Sequence, residues 1–323
     1  MLCILLSRCR RSGSVKFVIL FHIAHVDWSG LTNAAEEVSS VSRPSKACFA
    51  VAGIVNDNRC DMTNSPWIID GNTLRDEFDI ESVAVINDFE AVGHGVAALM
   101  QQEDADENED VVTLLQGQPT KGGPVLVLGP GTGLGVCQLF YDVKSKAYTV
   151  MASEGGHAEF APRTQEQREI QAWIQNKLGY CEIESILSGN GLERLYAFYS
   201  GNEIDAASVS GAALSLINSD KSSLFEEVDP VAATNAARSF LSILGASAGN
   251  ISLMTFAQGG VFVAGGITPK LMAVARKHHD IEDGFLHKKC RYHDVLAKMP
   301  LKVILEEFDV GLRGALHYAT NLI

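Results

Sequence analysis

Residues 124–140 read PVLVLGPGTGLGVCQLF. The apolar run Val125 to Leu128 meets four glycines in seven residues, Gly129, Gly131, Gly133 and Gly135, and a second apolar run follows. Glycines at the end of a strand let backbone approach a phosphate closely. Two familiar phosphate loops fail on spacing. A Walker-type loop ends in Lys followed by Ser or Thr, and this stretch holds no Lys. A dinucleotide fingerprint needs G-x-G-x-x-G. Counted from Gly129 its third glycine falls on Leu134, and counted from Gly131 it falls on Val136. What remains is a tight strand–turn–strand. Its Gly131, Thr132 and Gly133 can offer backbone N–H groups and one hydroxyl to an anion. On this stretch alone an ordinary glycine-rich hairpin fits as well.

The chain around it has 323 residues, a length that favours two domains. Hydrophobic residues make up 46% and charged residues 20%, an ordinary globular balance with ample material for a core. The net charge of −13 argues against a nucleic-acid surface, which would repel an acidic protein. It leaves room for a nucleotide substrate whose charge Mg²⁺ and backbone amides offset. The seven cysteines (3, 9, 48, 60, 137, 181 and 290) form no C-x-x-C pair. They read as reduced thiols of a cytoplasmic protein, neither a disulfide frame nor a zinc site. The first 26 residues hold no Asp or Glu and carry Arg8, Arg10 and Arg11 between short apolar runs. FVILFHIAHV is too short for a membrane span. A buried strand behind a ragged N-terminus is the expectation there, with a targeting segment as the alternative.

Strand and helix patterns alternate along the rest, which makes this an α/β chain. Strands are expected at 47–55, 83–86, 125–128 and 134–140. Asp70 is expected to cap a helix over 72–78. A helix should follow Asn87 and Asp88, and TQEQREIQAWIQNKLG should form one that stops at Gly179. QQEDADENEDVV reads as an acidic surface loop. Residues 229–255 read as a long buried helix, lacking a polar face, with a break or kink near Gly249. The tail EEFDVGLRGALHYAT reads as a final amphipathic helix.

Polar residues end several apolar strands, and in open α/β sheets ligands gather at those ends. In VINDFEA, Asp88 follows a buried strand, and Asn87 carries a donor and an acceptor that suit a sugar hydroxyl. Asp88 also fits a plain helix N-cap. In SEGGHAEF, Glu154 and His157 bracket two glycines, an arrangement suited to hydroxyl recognition or to a polar surface turn. In EIESILSGNGL, Glu184 precedes a glycine-bearing turn, where a solvated charge at a helix end reads equally well. VFVAGGI runs a strand into Gly265 and Gly266, a place for adenosine to lie against backbone or simply a helix entry.

Taken in order, TNSPW, INDFEAV, GPGTGLGV, EGGHAEFAP, E-x-x-LSG-x-GL at 184–192 and GGVFVAGGI-x-P-K resemble the bacterial-type glucokinases. These are ATP-dependent hexokinases of the actin-like sugar-kinase superfamily. The resemblance runs from ACFAVAG at residue 47 to the C-terminus. It implies a two-domain, actin-like (ribonuclease H-like) α/β fold with a cleft between the domains. The small domain would be 1–97 plus 301–323, and the large one 98–300. It implies transfer of the γ-phosphoryl group of MgATP to the 6-hydroxyl of glucose, with ATP and Mg²⁺ required and a homodimer expected. By motif, Asp88 would be the catalytic base, and Asn87, Glu154, His157 and Glu184 would hold glucose hydroxyls. Gly131, Thr132, Gly133, Gly265 and Gly266 would contact the nucleotide.

One family motif is missing. Such kinases begin with a strand and D-x-G-G-T, the first phosphate loop. This chain has only DWSGLTNAAEE at 27–37, where Asp27, Gly30, Thr32 and Asn33 share residue types but lack the paired glycines. A non-catalytic hexose-binding relative is therefore the alternative reading.

Overall fold

The structure, a computed structural model, describes residues 2–8, 15–21, 45–62, 67–101, 110–218, 228–286, 291–305 and 310–321. The segment 27–37 and most of the acidic loop lie outside those residues, as does the TNSP of TNSPW. In chain order the strands are β1 (Leu2–Arg8), β2 (Val15–Phe21), β3 (Lys46–Val51), β4 (Val55–Asn56), β5 (Arg59–Asp61), β6 (Ile68–Asp70) and β7 (Ser82–Asn87). They continue with β8 (Val111–Leu115), β9 (Val125–Pro130), β10 (Leu134–Asp142), β11 (Ala147–Ser153), β12 (Gly260–Val263) and β13 (Leu301–Ile304). The main helices are α1 (Gly71–Phe78), α2 (Asp88–Met100), α3 (Gln165–Leu178), α4 (Gly189–Ser200), α5 (Ala206–Asn218) and α6 (Pro230–Thr255). After them come α7 (Met272–His278), α8 (Asp280–Leu286) and α9 (Val310–Asn321).

The chain divides into two compact units. The first comprises Met1–Ala105, Val150–Ala152 and Asp309–Ile323, and the second Asp106–Thr149 and Ser153–Phe308. Strand β13, expected with the first domain, is hydrogen-bonded into the sheet of the second.

The first unit is built on a sheet ordered β1-β2-β3-β7. Strand β1 runs antiparallel to β2, and β2, β3 and β7 run parallel. Residues of β3 alternate between two cores. Ala47, Phe49 and Val51 pack with Cys60, Ile69, Leu74, Val83 and Val85, under the small β4-β5-β6 sheet and α1. Cys48 and Ala50 pack with Ala84, Ile86, Ala91, Leu312 and Ala315, under α2 and α9. Both faces are covered, as parallel sheets require. Asp70 caps α1 as expected, accepting N–H bonds from Asn72 and Thr73. Small residues let α2 and α9 touch backbone to backbone: a Cβ at Gly314 would strike the Ala91 carbonyl, and one at Gly95 the Val310 carbonyl.

The second unit is built on a sheet ordered β11-β10-β9-β12-β13-β8. Strands β9, β12 and β13 run parallel at its centre, while β10 and β8 pair antiparallel on either side. Val125, Leu126, Val127 and Leu128 are fully buried. The long helix is buried as expected, yet it runs unbroken from Pro230 to Thr255, with Asp229 as its N-cap. The expected break near Gly249 is absent for a packing reason. Gly245 and Gly249 face the Ile281 and Phe285 carbonyls of α8, so these glycines serve close approach rather than bending.

Candidate active site

In the first unit, β7 delivers Asn87 and Asp88 to its carboxyl end. The helix cap there is Asn87, not Asp88. Asn87 Oδ1 accepts the N–H groups of Phe89 (2.9 Å) and Glu90 (3.2 Å), and its Nδ2 donates to the Gly53 carbonyl at 3.1 Å. Among the described residues that leaves the amide one further hydrogen for a ligand. Asp88 is the first residue of α2, and its Oδ1 accepts the Phe89 N–H at 2.8 Å. A carboxylate in the first turn sits where the helix dipole favours negative charge.

In the second unit, three segments distant in sequence meet at Leu134, the residue that closes the glycine turn. The Leu134 N–H donates to Glu184 Oε2 at 2.7 Å. The Leu134 carbonyl lies so close to Gly156 that a Cβ there would collide with it. Segments 156–160 and 181–184 are joined by backbone bonds from Phe160 N to Cys181 O (3.0 Å), Ile183 N to Ala158 O (2.9 Å) and Glu184 N to Gly156 O (2.9 Å). Glu184 therefore lies against one end of the glycine turn, and Glu154 and His157 flank the Gly156 that packs on it. Glu184, read from sequence as a possible solvated charge, is a half-buried ligand of that turn.

His157 stands among carboxylates. Its Nδ1 lies 2.9 Å from Glu182 Oε2 and its Nε2 lies 3.9 Å from Glu154 Oε2. The hydrogen bond to Glu182 raises the imidazole above its usual range. Partial desolvation opposes this, and the charges of Glu184, Glu182 and Glu154 add to the rise. Glu182 was not among the residues singled out from sequence, because its partner His157 lies 25 residues away.

The turn itself keeps two N–H groups for a ligand. The Gly131 N–H donates to the Gly133 carbonyl (2.8 Å) and the Leu134 N–H to Glu184, which among the described residues leaves those of Thr132 and Gly133. A Cβ at Gly131 would meet no atom of the described residues within 4 Å. Helix α4 begins against the turn: the Gly189 N–H donates to the Gly131 carbonyl at 2.9 Å, and Ser188 caps the helix through the Gly191 N–H. A helix N-terminus beside free backbone N–H groups is an anion site by geometry. Ser188 and Gly189 were also missed from sequence, although Ser-Gly ahead of an apolar helix is a capping signal. On the other side, the Ala264 N–H donates to the Leu128 carbonyl at 2.8 Å, and Gly265 adopts φ +87° with Pro130 O only 2.5 Å from where a Cβ would stand. The two glycine turns thus leave adjacent parallel strands, and Gly266 follows at the entry to a short helix over Ile267–Lys270.

Comparison with known proteins agrees with this arrangement. A family model described as Glucokinase matches residues 6–322. A glucokinase of Nostoc sp. is 33% identical over 297 residues, covering 87% of this chain and 83% of the relative. One of Synechocystis sp. is 35% identical over 287 residues, covering 84% and 78%. Among solved structures, a glucokinase from an Antarctic psychrotroph superposes with a TM-score of 0.76 at 25% identity, covering 99% of this chain and 95% of that one. The fold is the two-domain α/β sugar-kinase fold, and the chain belongs to the glucokinase family.

Proposed function

We propose that this chain transfers the γ-phosphoryl group of ATP to the 6-hydroxyl of glucose, with Asp88 as base. The observation that carries the reading is the 2.7 Å bond from the Leu134 N–H to Glu184. It fastens a hydroxyl-accepting carboxylate to the end of an anion-binding turn, so that hydroxyl and phosphate recognition share one support. Glu154, His157 and Glu184 hold sugar hydroxyls through charge-assisted bonds, roughly twice as strong as neutral ones, and Asn87 adds a neutral amide donor. Such a site rejects sugars that lack a hydroxyl it pairs with. Thr132, Gly133 and the start of α4 hold phosphate oxygens, Gly131 leaves them room, and Gly265 and Gly266 take the adenosine side.

In the reaction the sugar O6 forms a bond to the γ-phosphorus as the bond to the β,γ-bridging oxygen breaks. The O6 proton passes to the Asp88 carboxylate, giving glucose 6-phosphate and ADP. Proton acceptance of this kind is worth typically ~10²–10⁴-fold, and positioning with electrostatic stabilisation of the phosphoryl group supplies the rest. Mg²⁺ enters with ATP as part of the substrate. A homodimer in the cytoplasm belongs to the same proposal; the buried free thiols of Cys48, Cys60, Cys137 and Cys181 suit a reducing compartment.

The test is glucose 6-phosphate formation by the purified chain with MgATP, run beside Asp88→Asn and a direct glucose titration. Turnover should fall at least ~10²-fold in the variant while glucose affinity holds. Full turnover in the variant removes Asp88 from the mechanism, and glucose binding without turnover in the parent chain overturns the catalytic reading.

A further inference from the structure

We propose that Glu182 is a positioning residue of the sugar site: it holds Nδ1 of His157 so that Nε2 faces a hexose hydroxyl as a hydrogen-bond donor. The inference rests on the reading of His157 as a sugar ligand. The geometry is fixed from both sides. The three backbone bonds between 156–160 and 181–184 set the two chain segments in register, and the Glu182 N–H is itself held by Ser185 Oγ at 3.1 Å. Within that frame the Nδ1···Oε2 contact of 2.9 Å joins groups 25 residues apart.

The need for a donor follows from hydrogen-bond counting. Glu154 and Glu184 are carboxylates, which only accept. A sugar hydroxyl that donates its one proton to either still has lone pairs to satisfy. A neutral imidazole that donates Nδ1–H to Glu182 presents Nε2 as a third acceptor and adds no donor for those lone pairs. An imidazolium presents Nε2–H and completes the set. Among the described residues every charged group acting on the ring favours that form: Glu182 and Glu184 from the paired segment and Glu154 from its own turn, with partial desolvation opposing them. Glu182 is the one among them in direct hydrogen-bond contact.

The test uses Glu182→Gln, which keeps an acceptor oxygen and removes the charge, and Glu182→Ala, which removes both. Glucose affinity is measured by calorimetry from pH 5.5 to 8.5, and the His157 ring proton is followed by NMR through the same range. In wild type the affinity should fall as the ring deprotonates. In Glu182→Gln both the affinity inflection and the NMR titration should move to lower pH. In Glu182→Ala glucose affinity at pH 7 should drop roughly five-fold, the loss falling on KM for glucose more than on kcat. Unmoved inflections in both variants, beside a His157→Ala chain that loses glucose affinity, overturn the role of Glu182 and leave that of His157 standing. A lowered melting temperature with an unmoved inflection likewise reduces Glu182 to a structural contact. A His157→Ala chain with wild-type glucose affinity overturns the reading of His157 and this inference with it.

Discussion

Gly131 and Gly133 flank one residue yet should respond oppositely to alanine. Neither has the positive φ that would penalise a side chain. A methyl at Gly133 would stand 2.5 Å from Glu184 Oε2 and 3.2 Å from its Cδ. The carboxylate must swing away, and the Leu134 N–H loses its acceptor. Hydrogen bonds to charged groups are worth about 1.5–3 kcal/mol, and the partial exposure of Glu184 points to the low end. Replacing glycine returns roughly 0.4–1 kcal/mol by restricting the unfolded chain. Gly133→Ala should therefore lose about 1 kcal/mol net, and its displaced Glu184 should raise KM for glucose by about ten-fold. Gly131→Ala meets open space. It should keep or slightly gain stability while its methyl, lying in the proposed phosphate site, raises KM for ATP and spares KM for glucose. Urea midpoints and steady-state kinetics with each substrate varied in turn read all four quantities. Equal destabilisation of the two variants, or a Gly133→Ala enzyme with unchanged KM for glucose, would refute the role given to the Leu134–Glu184 bond.

Three further outcomes are expected. Gly314→Ala drives a methyl into the Ala91 carbonyl and should cost about 1–3 kcal/mol by forcing α9 off α2, read as a lowered urea midpoint. Asp70 is held below the ordinary carboxylate range chiefly by the Thr73 N–H, with the Asn72 N–H and Arg59 assisting against some desolvation. A depressed folded value stabilises above the unfolded value of 3.8 and is lost as pH falls through the folded one. Asp70→Ala should accordingly be less stable than wild type at pH 7, and the difference should shrink below pH 3.8 in acid titrations followed by circular dichroism. Burial, aided by the charge of Glu159, pushes the Cys181 thiol up to about 11. With ~10⁻³ of it as thiolate at pH 8, iodoacetamide should spare Cys181 in the native protein and label it after unfolding, as peptide mass mapping would show.

Local pattern was enough for much of the architecture. The buried strands around Val85 and Val127, the cap at Asp70 and the stop at Gly179 each follow from chemistry within a few residues, and each is present. Pairings across long separations were out of reach. Glu184 reads as a solvated helix-end charge until Leu134, 50 residues earlier, is seen to need its oxygen. The Glu182 carboxylate meets His157 only when 181–184 is laid beside 156–160. Gly249 looks like a helix breaker because a lone glycine carries no record of the helix pressed against it; the Phe285 carbonyl supplies the missing cause. Asn87 and Asp88 show the limit at finer grain. Either fits a cap by composition, and only the backbone geometry assigns the cap to Asn87 and the first helical position to Asp88.

The glycines of three separate motifs have a common cause, which decides what the opening turn is for. Gly156 is needed because the Leu134 carbonyl lies against it, and Gly265 because Pro130 does. Both are crowded by the same turn after β9. Gly133 is crowded by Glu184. Gly179 and Gly201 stand in open space, but each has a positive φ at a helix end, which accounts for glycine there. Gly131 has neither excuse: no described residue approaches within 4 Å of its missing side chain, and its φ asks for no glycine. An ordinary hairpin would tolerate alanine at that place. The protein leaves the space unused on a surface whose neighbours are the start of α4 and the N–H groups of Thr132 and Gly133. A ligand that fills the gap explains it, and a ligand held by backbone N–H groups and a helix N-terminus is an anion. A phosphate chain is the anion that a glucokinase-family site must hold, so the glycine without a structural reason is the one that points to the nucleotide. If Gly131→Ala left KM for ATP unchanged, that inference would fail and the turn after β9 would be a hairpin after all.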